Sequence, residues 1–355
     1  MSQTITVKIK LTPTKEEEEL LKSSSLSYIQ TINVLVSEMI KEEKPTKKTS
    51  KDVVAPLNSA VKNQAIRDAK SVFMKAKKTK FSTIPILRKP VIIWNNQNFS
   101  VDASTISMPF IVEEKSKKIA IRALVQERDL DLMKRAIKVG TLRITQKNHK
   151  WIAQISLEIP VQISFSASVM GIDLGIKVPA VCKTDSGKVK FAGNGHQNKY
   201  VRRKFKAFRK KMGKAKKVNA IKKMDDKEQR WMKDQDHKIS RSIVNFAKEN
   251  KMRTIRLEEL TNIRKTTRKS RKNNHNIHNW SFYRLAHFIE YKANLAGIKV
   301  EYVNPAYTSQ ACPQCNERNK AKDRRYVCSK CGYECHRDLV GASNIIYAPV
   351  LSGNS

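Results

Sequence analysis

The chain has 355 residues, with 71 Lys and Arg against 32 Asp and Glu and a formal net charge of +39. A hydrophobic content of 40% with four Trp, nine Tyr and eleven Phe excludes a disordered tail protein, and no apolar run approaches the roughly 18 residues of a membrane span. Positive charge running through the whole length, not gathered in one amphipathic helix, points to nucleic acid as partner and not to a membrane surface. At about 100–200 residues per domain the length allows two or three domains. The N-terminal MSQTITVKIKLTPTKEEEE lacks a signal-peptide h-region. Five of six cysteines fall in the 24 residues from Cys312 to Cys335, a usage that fits a reducing compartment, so a cytoplasmic protein is expected.

Residues 4–11 alternate strictly, with Ile5, Val7, Ile9 and Leu11 on one face of a predicted half-buried strand. Thr12-Pro13-Thr14 then opens a helix whose first turns carry Glu16 to Glu19, where acids suit the helix dipole. A second helix is predicted from about Ala55 to Lys78, with Val61, Ala65, Ala69, Val72 and Phe73 on one side. Residues 84–160 read as short β runs forming a small barrel or sheet, which the strand at 4–11 would complete around a helical insertion. A second domain is expected from Ser166, starting with the buried strand 169–173 and a hairpin through VPAVCKTDSGKVKFA. Residues 199–224 carry thirteen Lys and Arg and no acid. Val201, Phe205, Phe208 and Met212 recur there at helical spacing, giving a basic amphipathic helix in which Tyr200, Phe205 and Phe208 are expected to pack in a core. A helix around Ile239–Ala247, a strand at 252–257, a polar loop at 261–279, a helix from Trp280 to Ala296 stopped by Gly297, and a strand at 298–303 follow.

Two constellations carry chemistry. Cys312-x2-Cys315-x12-Cys328-x2-Cys331 offers four thiolates in paired knuckles, the closed tetrahedral shell of a structural Zn²⁺ site. Cys335 and Cys182 are not needed as ligands. Asp173 ends a hydrophobic strand in GIDLGIK, Glu258 ends another in LEEL, and Asp338 starts a helix in HRDLVGASNI. Each sits beside apolar residues, and converged they would hold two Mg²⁺ or Mn²⁺, hard cations that take oxygen ligands, for phosphodiester hydrolysis. Taken singly, each acid also suits a cap or a surface ion pair. Glu259 points to the other side of its strand, and His336 is not required as a general base.

GIDLGIKVPAV, IRLEEL, WSFYRLAHFIEYKANLAGIKVEYVNPAYTSQACPQC and YVCSKCGYECHRDLVGASNI, in that order, resemble the TnpB family of transposon-encoded, RNA-guided DNA endonucleases, relatives of type V CRISPR effectors. The resemblance is specific over 166–348 and weaker over 1–165. It implies an α+β, α/β multidomain chain. A β-barrel-like wedge domain would take residues 1–13 and 81–165, and a helical recognition insertion 14–80. An RNase H-like (RuvC) nuclease would span 166–307 and 336–355, with a zinc ribbon, the target nucleic-acid-binding element, at 308–335. It implies Asp173, Glu258 and Asp338 as the catalytic, Mg²⁺-binding acids and 261–279 as a lid. Asn316 stands where many relatives have Gly, and Val340-Gly341-Ala342 where many have Asn-Ala-Ala. Neither change removes a ligand.

The implied activity is Mg²⁺-dependent cleavage of target double-stranded DNA beside a short flanking motif, directed by a guide RNA in a prokaryotic cytoplasm or nucleoid. Arg202, Arg203, Lys204, Arg209, Lys210 and Lys211 of the basic helix would contact a heteroduplex or guide scaffold. Arg268, Lys269, Arg271 and Lys272 would contact single-stranded DNA, and Arg337 a substrate phosphate. The alternatives are a compact type V CRISPR effector, a nuclease-dead guided regulator, an RNA-free transposase or DNA-binding protein, and a structural zinc-ribbon protein of ribosomal type. The last accounts for charge and cysteines but not for the ordered acid motifs. Oligomeric state is not readable from the sequence.

Overall fold

The computed structural model describes residues 2–80, 84–162, 167–260, 280–321 and 323–351. The chain divides into two units, residues 2–160 and 161–355. The first comprises β1 (Ser2–Leu11), α1 (Lys15–Lys41), α2 (Ser59–Lys78), β2 (Val91–Trp94), β3 (Ser100–Val101), β4 (Thr105–Val112), β5 (Lys115–Leu124), α3 (Glu127–Arg135), β6 (Lys138–Lys147) and β7 (Lys150–Pro160). Its strands form one antiparallel sheet in the order β2-β6-β7-β1-β5-β4-β3. Strands β2 and β3 stand at its two edges, so its hydrogen bonding describes an open sheet and not a closed barrel. The alternation of β1 does what its pattern requires: Val7, Ile9 and Leu11 are buried while Thr6, Lys8 and Lys10 are exposed.

Helix α1 starts on a capping box, with the Thr14 hydroxyl accepting from the Glu17 amide and the Glu17 carboxylate accepting from the Thr14 amide. It packs on α2, where the buried Tyr28 hydroxyl donates to Asp68 at 2.8 Å. Helix α3 escapes the sequence reading because it buries no residue, so no apolar face marks it.

The second unit comprises β8 (Val169–Leu174), β9 (Ala180–Thr184), β10 (Val189–Ala192), α4 (Gly195–Lys214), α5 (Val218–Met224), α6 (Lys227–Glu249), β11 (Thr254–Glu258), α7 (Phe282–Leu295), β12 (Lys299–Val303), β13 (Arg325–Val327), β14 (Glu334–His336) and α8 (Arg337–Tyr347). Five strands form a mixed sheet in the order β10-β9-β8-β11-β12, antiparallel through β10, β9 and β8 and parallel from β8 to β12. One face is apolar. Met170, Ile172 and Leu174 of β8 and Ile255 and Leu257 of β11 pack with Ile239, Ile243 and Val244 of α6 and Phe282, Leu285 and Ile289 of α7. The opposite face carries Gly171, Asp173, Arg256 and Glu258 and is covered by α8. The predicted basic helix at 199–224 is two helices: α4 stops at Lys214, and Lys216 turns the chain at φ 54° before α5. No helix among the described residues is long and apolar enough to cross a membrane.

Candidate active site

Strands β8 and β11 run parallel with Leu257 beside Ile172, so Asp173 and Glu258, each the next residue along, leave the same end of the sheet on the same face. Helix α8 lies directly on that face because two glycines let it. A Cβ on Gly171 would run into the Ala342 carbonyl oxygen of α8, and one on Gly341 would stand 2.9 Å from Asp173 Oδ2 and 3.0 Å from its Cγ. Side chains hold the helix at both ends. The His336 ring accepts the Asp338 amide at Nδ1, 3.3 Å, as N-cap, and Arg256 donates to the Ile346 carbonyl near the C-terminus. Lys183 of β9 donates to Ser343 at 2.8 Å. His336 thus spends its Nδ1 lone pair on the helix. Gly171→Ala is expected to destabilise the chain by about 1–3 kcal/mol by overpacking. It should also lift α8 off β8; denaturant unfolding measures the first effect and amide exchange across α8 the second.

Glu258 and Asp338 both lie within electrostatic reach of Asp173. Burial, then the charges of Glu258 and Asp338, hold the Asp173 carboxyl well above its ordinary pKa, opposed by Arg337 and Arg324. Burial also raises Glu258, opposed by a hydrogen bond from the Thr308 hydroxyl. Asp338 is 7% exposed and takes both oxygens' bonds from one nitrogen of Arg324, Nη1 to Oδ1 at 2.5 Å and to Oδ2 at 2.6 Å. Arg337 is exposed beside it. A carboxyl raised by two neighbouring carboxylates favours a cation beside it, and this donor set is all oxygen, which suits Mg²⁺ or Mn²⁺. Arg324 supplies part of that charge. Glu259, just past the end of β11, lies close enough to Tyr302 to help raise its phenol pKa.

The four knuckle cysteines converge. Among the described residues they form the group of metal-type ligands whose donor atoms all lie within 4.8 Å of one another. Sγ of Cys312 is 3.6 Å from that of Cys331, and Cys315 is 3.4 Å from Cys328. Roughly 2.3 Å Zn–S bonds set sulfurs about 3.8 Å apart in a tetrahedron, so the residues fit zinc. Backbone amides of Cys331 and Lys330 help pull the Cys328 thiol down to about 6, toward the thiolate that binds metal. Cys335 stays outside the group, and Cys182 is buried in the sheet core. Strands β13 and β14 pair beside the cysteines, and Cys312, Cys328 and Tyr326 share a small core with Val340 of α8.

The basic helix α4 departs from expectation in its apolar stripe. Tyr200 is 66% and Phe208 39% exposed, and only Gly195 of the helix is buried. The apolar spacing therefore marks an amphipathic surface, not a core helix. Of its predicted contact residues, Arg202 is half-buried near Glu228 and Asp236, and Arg209 is ion-paired to Glu228 at 2.7 Å. Arg203, Lys204, Lys210 and Lys211 are exposed, and none is ion-paired among the described residues. Arg268, Lys269, Arg271 and Lys272, with the lid expected at 261–279, lie outside the described residues. Sequence reasoning missed Thr308, Arg324 and Arg256. The first two stand in the cysteine-bearing segment, where TSQ precedes the first knuckle, and chemistry there drew attention only to thiols.

A family model described as "Cas12f1-like, TNB domain" matches residues 282–345. The CRISPR-associated endodeoxyribonuclease Cas12f1 of Sulfoacidibacillus thermotolerans is 28% identical over 277 residues, 71% of this chain and 64% of that protein. The TnpB-like protein MJ0751 of Methanocaldococcus jannaschii is 35% identical over 127 residues, 35% of this chain and 45% of that protein. The chain thus spans less than two thirds of the length of either. Among solved structures, the cryo-EM structure of a Cas12f1-sgRNA-target DNA complex matches with a TM-score of 0.65 at 16% identity, covering 98% of both chains. That likeness establishes a shared, mixed α and β fold.

Proposed function

We propose, from its likeness to TnpB-like and Cas12f1 proteins, that the chain is an RNA-guided DNA endonuclease of the TnpB/Cas12f family. One observation carries this reading. Asp173 and Glu258 leave the same end of two parallel strands and Asp338 starts the helix laid on that face, and the charges of Glu258 and Asp338 both reach Asp173. In this reading residues 166–307 and 336–355 form an RNase H-like (RuvC) nuclease and 308–335 a zinc ribbon. Residues 1–13 and 81–165 form a wedge domain, and 14–80 a recognition insertion. The protein works in the cytoplasm, and the four cysteines hold a structural Zn²⁺.

Asp173, Glu258 and Asp338 would hold Mg²⁺ or Mn²⁺, which when bound supplies an activated water and charge neutralisation at the leaving oxygen. The chain's own residues do the positioning. Arg324 keeps Asp338 aimed at the site before a cation arrives, and once released from it presents its guanidinium to a substrate phosphate. Arg337, exposed at the start of α8, offers a second phosphate contact. His336 fixes the first turn of α8 and hence the direction in which Asp338 projects. Target choice is delegated to base pairing, so the protein needs mainly charge and shape. The exposed cations of α4 supply charge: replacing Arg203, Lys204, Lys210 and Lys211 by Ala together is expected to weaken nucleic-acid binding. The slope of log K against log salt should fall by about 0.7–0.9 for each phosphate no longer neutralised. Titration at several salt concentrations measures it.

Two alternatives differ in the source of the guide. A compact CRISPR effector is favoured by the Cas12f1 alignment, which runs over 71% of this chain, whereas a transposon nuclease is favoured by the higher identity to the TnpB-like protein. Sequencing RNA that co-purifies from the native locus tests both. A discrete RNA running past a transposon boundary supports the transposon nuclease, and a CRISPR repeat supports the effector. Absence of a discrete RNA, with no cleavage of matched DNA, would overturn guided cleavage.

A further inference from the structure

Thr308 is 6% exposed and lies four residues ahead of the first zinc-type ligand, Cys312. Its hydroxyl reaches Glu258 Oε1 and lies 3.1 Å from the Pro305 carbonyl oxygen. It has one proton for two acceptors. An ionised Glu258 takes that proton, because a hydrogen bond to a carboxylate is the stronger of the two. The backbone around Thr308 is fixed from two sides. Asn344 of α8 donates its side-chain amide to the carbonyls of Thr308 and Ala311, both at 2.7 Å. The hydroxyl of Tyr326, wholly buried between Cys312, Cys328 and Val340, donates to the Gln310 carbonyl at 3.1 Å. Between the two knuckles in sequence, Arg324 grips Asp338. Both acids whose charges reach Asp173 are therefore held by residues of the cysteine-bearing segment that bear no thiol.

We infer that Thr308 is a positioning residue for Glu258, and that through it and Arg324 the zinc-binding segment sets the geometry in which the carboxylates take up a divalent cation. This rests on the reading of Asp173, Glu258 and Asp338 as the cation site. Thr308 touches neither cation nor substrate. It aims one oxygen of Glu258 and leaves the other, and the remaining lone pairs, for the ion. Second-layer partners of this kind typically change metal affinity or activity by about 10–100-fold.

The test is Mn²⁺ titration of the purified, zinc-loaded full chain, followed by electron paramagnetic resonance, with zinc content measured on the same samples. Thr308→Val, which keeps shape and removes the hydroxyl, is expected to weaken Asp173-dependent Mn²⁺ binding about tenfold or more at unchanged zinc content. Thr308→Ser is expected to restore it. In cleavage assays the half-saturating Mn²⁺ should rise more than the maximal rate falls. Thr308→Ala, which cannot overpack, repeats the measurement should valine disturb folding. Wild-type Mn²⁺ affinity in both hydroxyl-less variants overturns the inference alone. Absence of any Asp173-dependent Mn²⁺ binding in the unsubstituted chain overturns the cation-site reading and this inference with it.

Discussion

Asp173→Ala, Glu258→Gln and Asp338→Ala are each expected to abolish guided DNA cleavage while leaving guided DNA binding intact. Loss of an outer partner to a metal ligand already costs about 10–100-fold, so loss of a ligand itself should exceed a hundredfold. Binding is expected to survive because these substitutions leave in place the exposed Lys and Arg proposed to contact phosphates, Arg203, Lys204, Lys210 and Lys211 of α4 among them. Matched gel-shift and cleavage assays decide it, and equal loss of binding in all three would sink the assignment. Stability gives an independent reading of the same site. The folded chain raises the Asp173 pKa, so between about 4 and the raised value it keeps a proton that the unfolded chain has released, and stability falls as pH climbs through that window. Without divalent cation, Asp173→Asn should therefore melt higher than the parent at neutral pH, and the advantage should vanish in acid.

Cys328→Ser is expected to empty the zinc site and unfold the segment around it. The core there is Cys312, Tyr326, Cys328 and Val340, with one short strand pair, too little apolar surface to stand alone. Structural zinc supplies about 10–16 kcal/mol in small zinc-finger peptides, far more than such a core could replace. Zinc content should fall from one per chain to nearly none. Amide exchange should rise across 308–336 while the core shared by β8, β11, α6 and α7 stays protected, since no cysteine ligand contributes to it. A variant that keeps its zinc and its activity would refute the four-cysteine site.

Much of the fold was legible because its signals are local. The alternation in β1, Thr14 and the acids after it at the start of α1, the Gly297 stop at φ 74° and the cysteine spacing each report a backbone or ligand demand of their own neighbourhood. The acid motifs were legible as strand ends and a helix start. What placed them together was not, because it depends on contacts between segments: Gly171 under Ala342, Arg324 on Asp338 and Thr308 on Glu258 join residues with no pattern to link them. Helix α3 was missed for want of a buried face, and α4 was misread for the opposite reason. Its apolar period is real, but a period reports a stripe and not what covers it.

The two faces of the five-stranded sheet are unequally dressed. Helices α6 and α7 bury one, whereas among the described residues the other has α8, eleven residues and about 16 Å long, as its cover. Phe191 and Val189 of β10 remain 48% and 39% exposed. Among the described residues, the uncovered part of that face is an open strip of sheet beside the buried acids. An extended polymer can lie along such a strip, where a small phosphate ester would meet few of these residues. In the proposed nuclease, selectivity would then rest on how, and when, a strand is delivered to the acids.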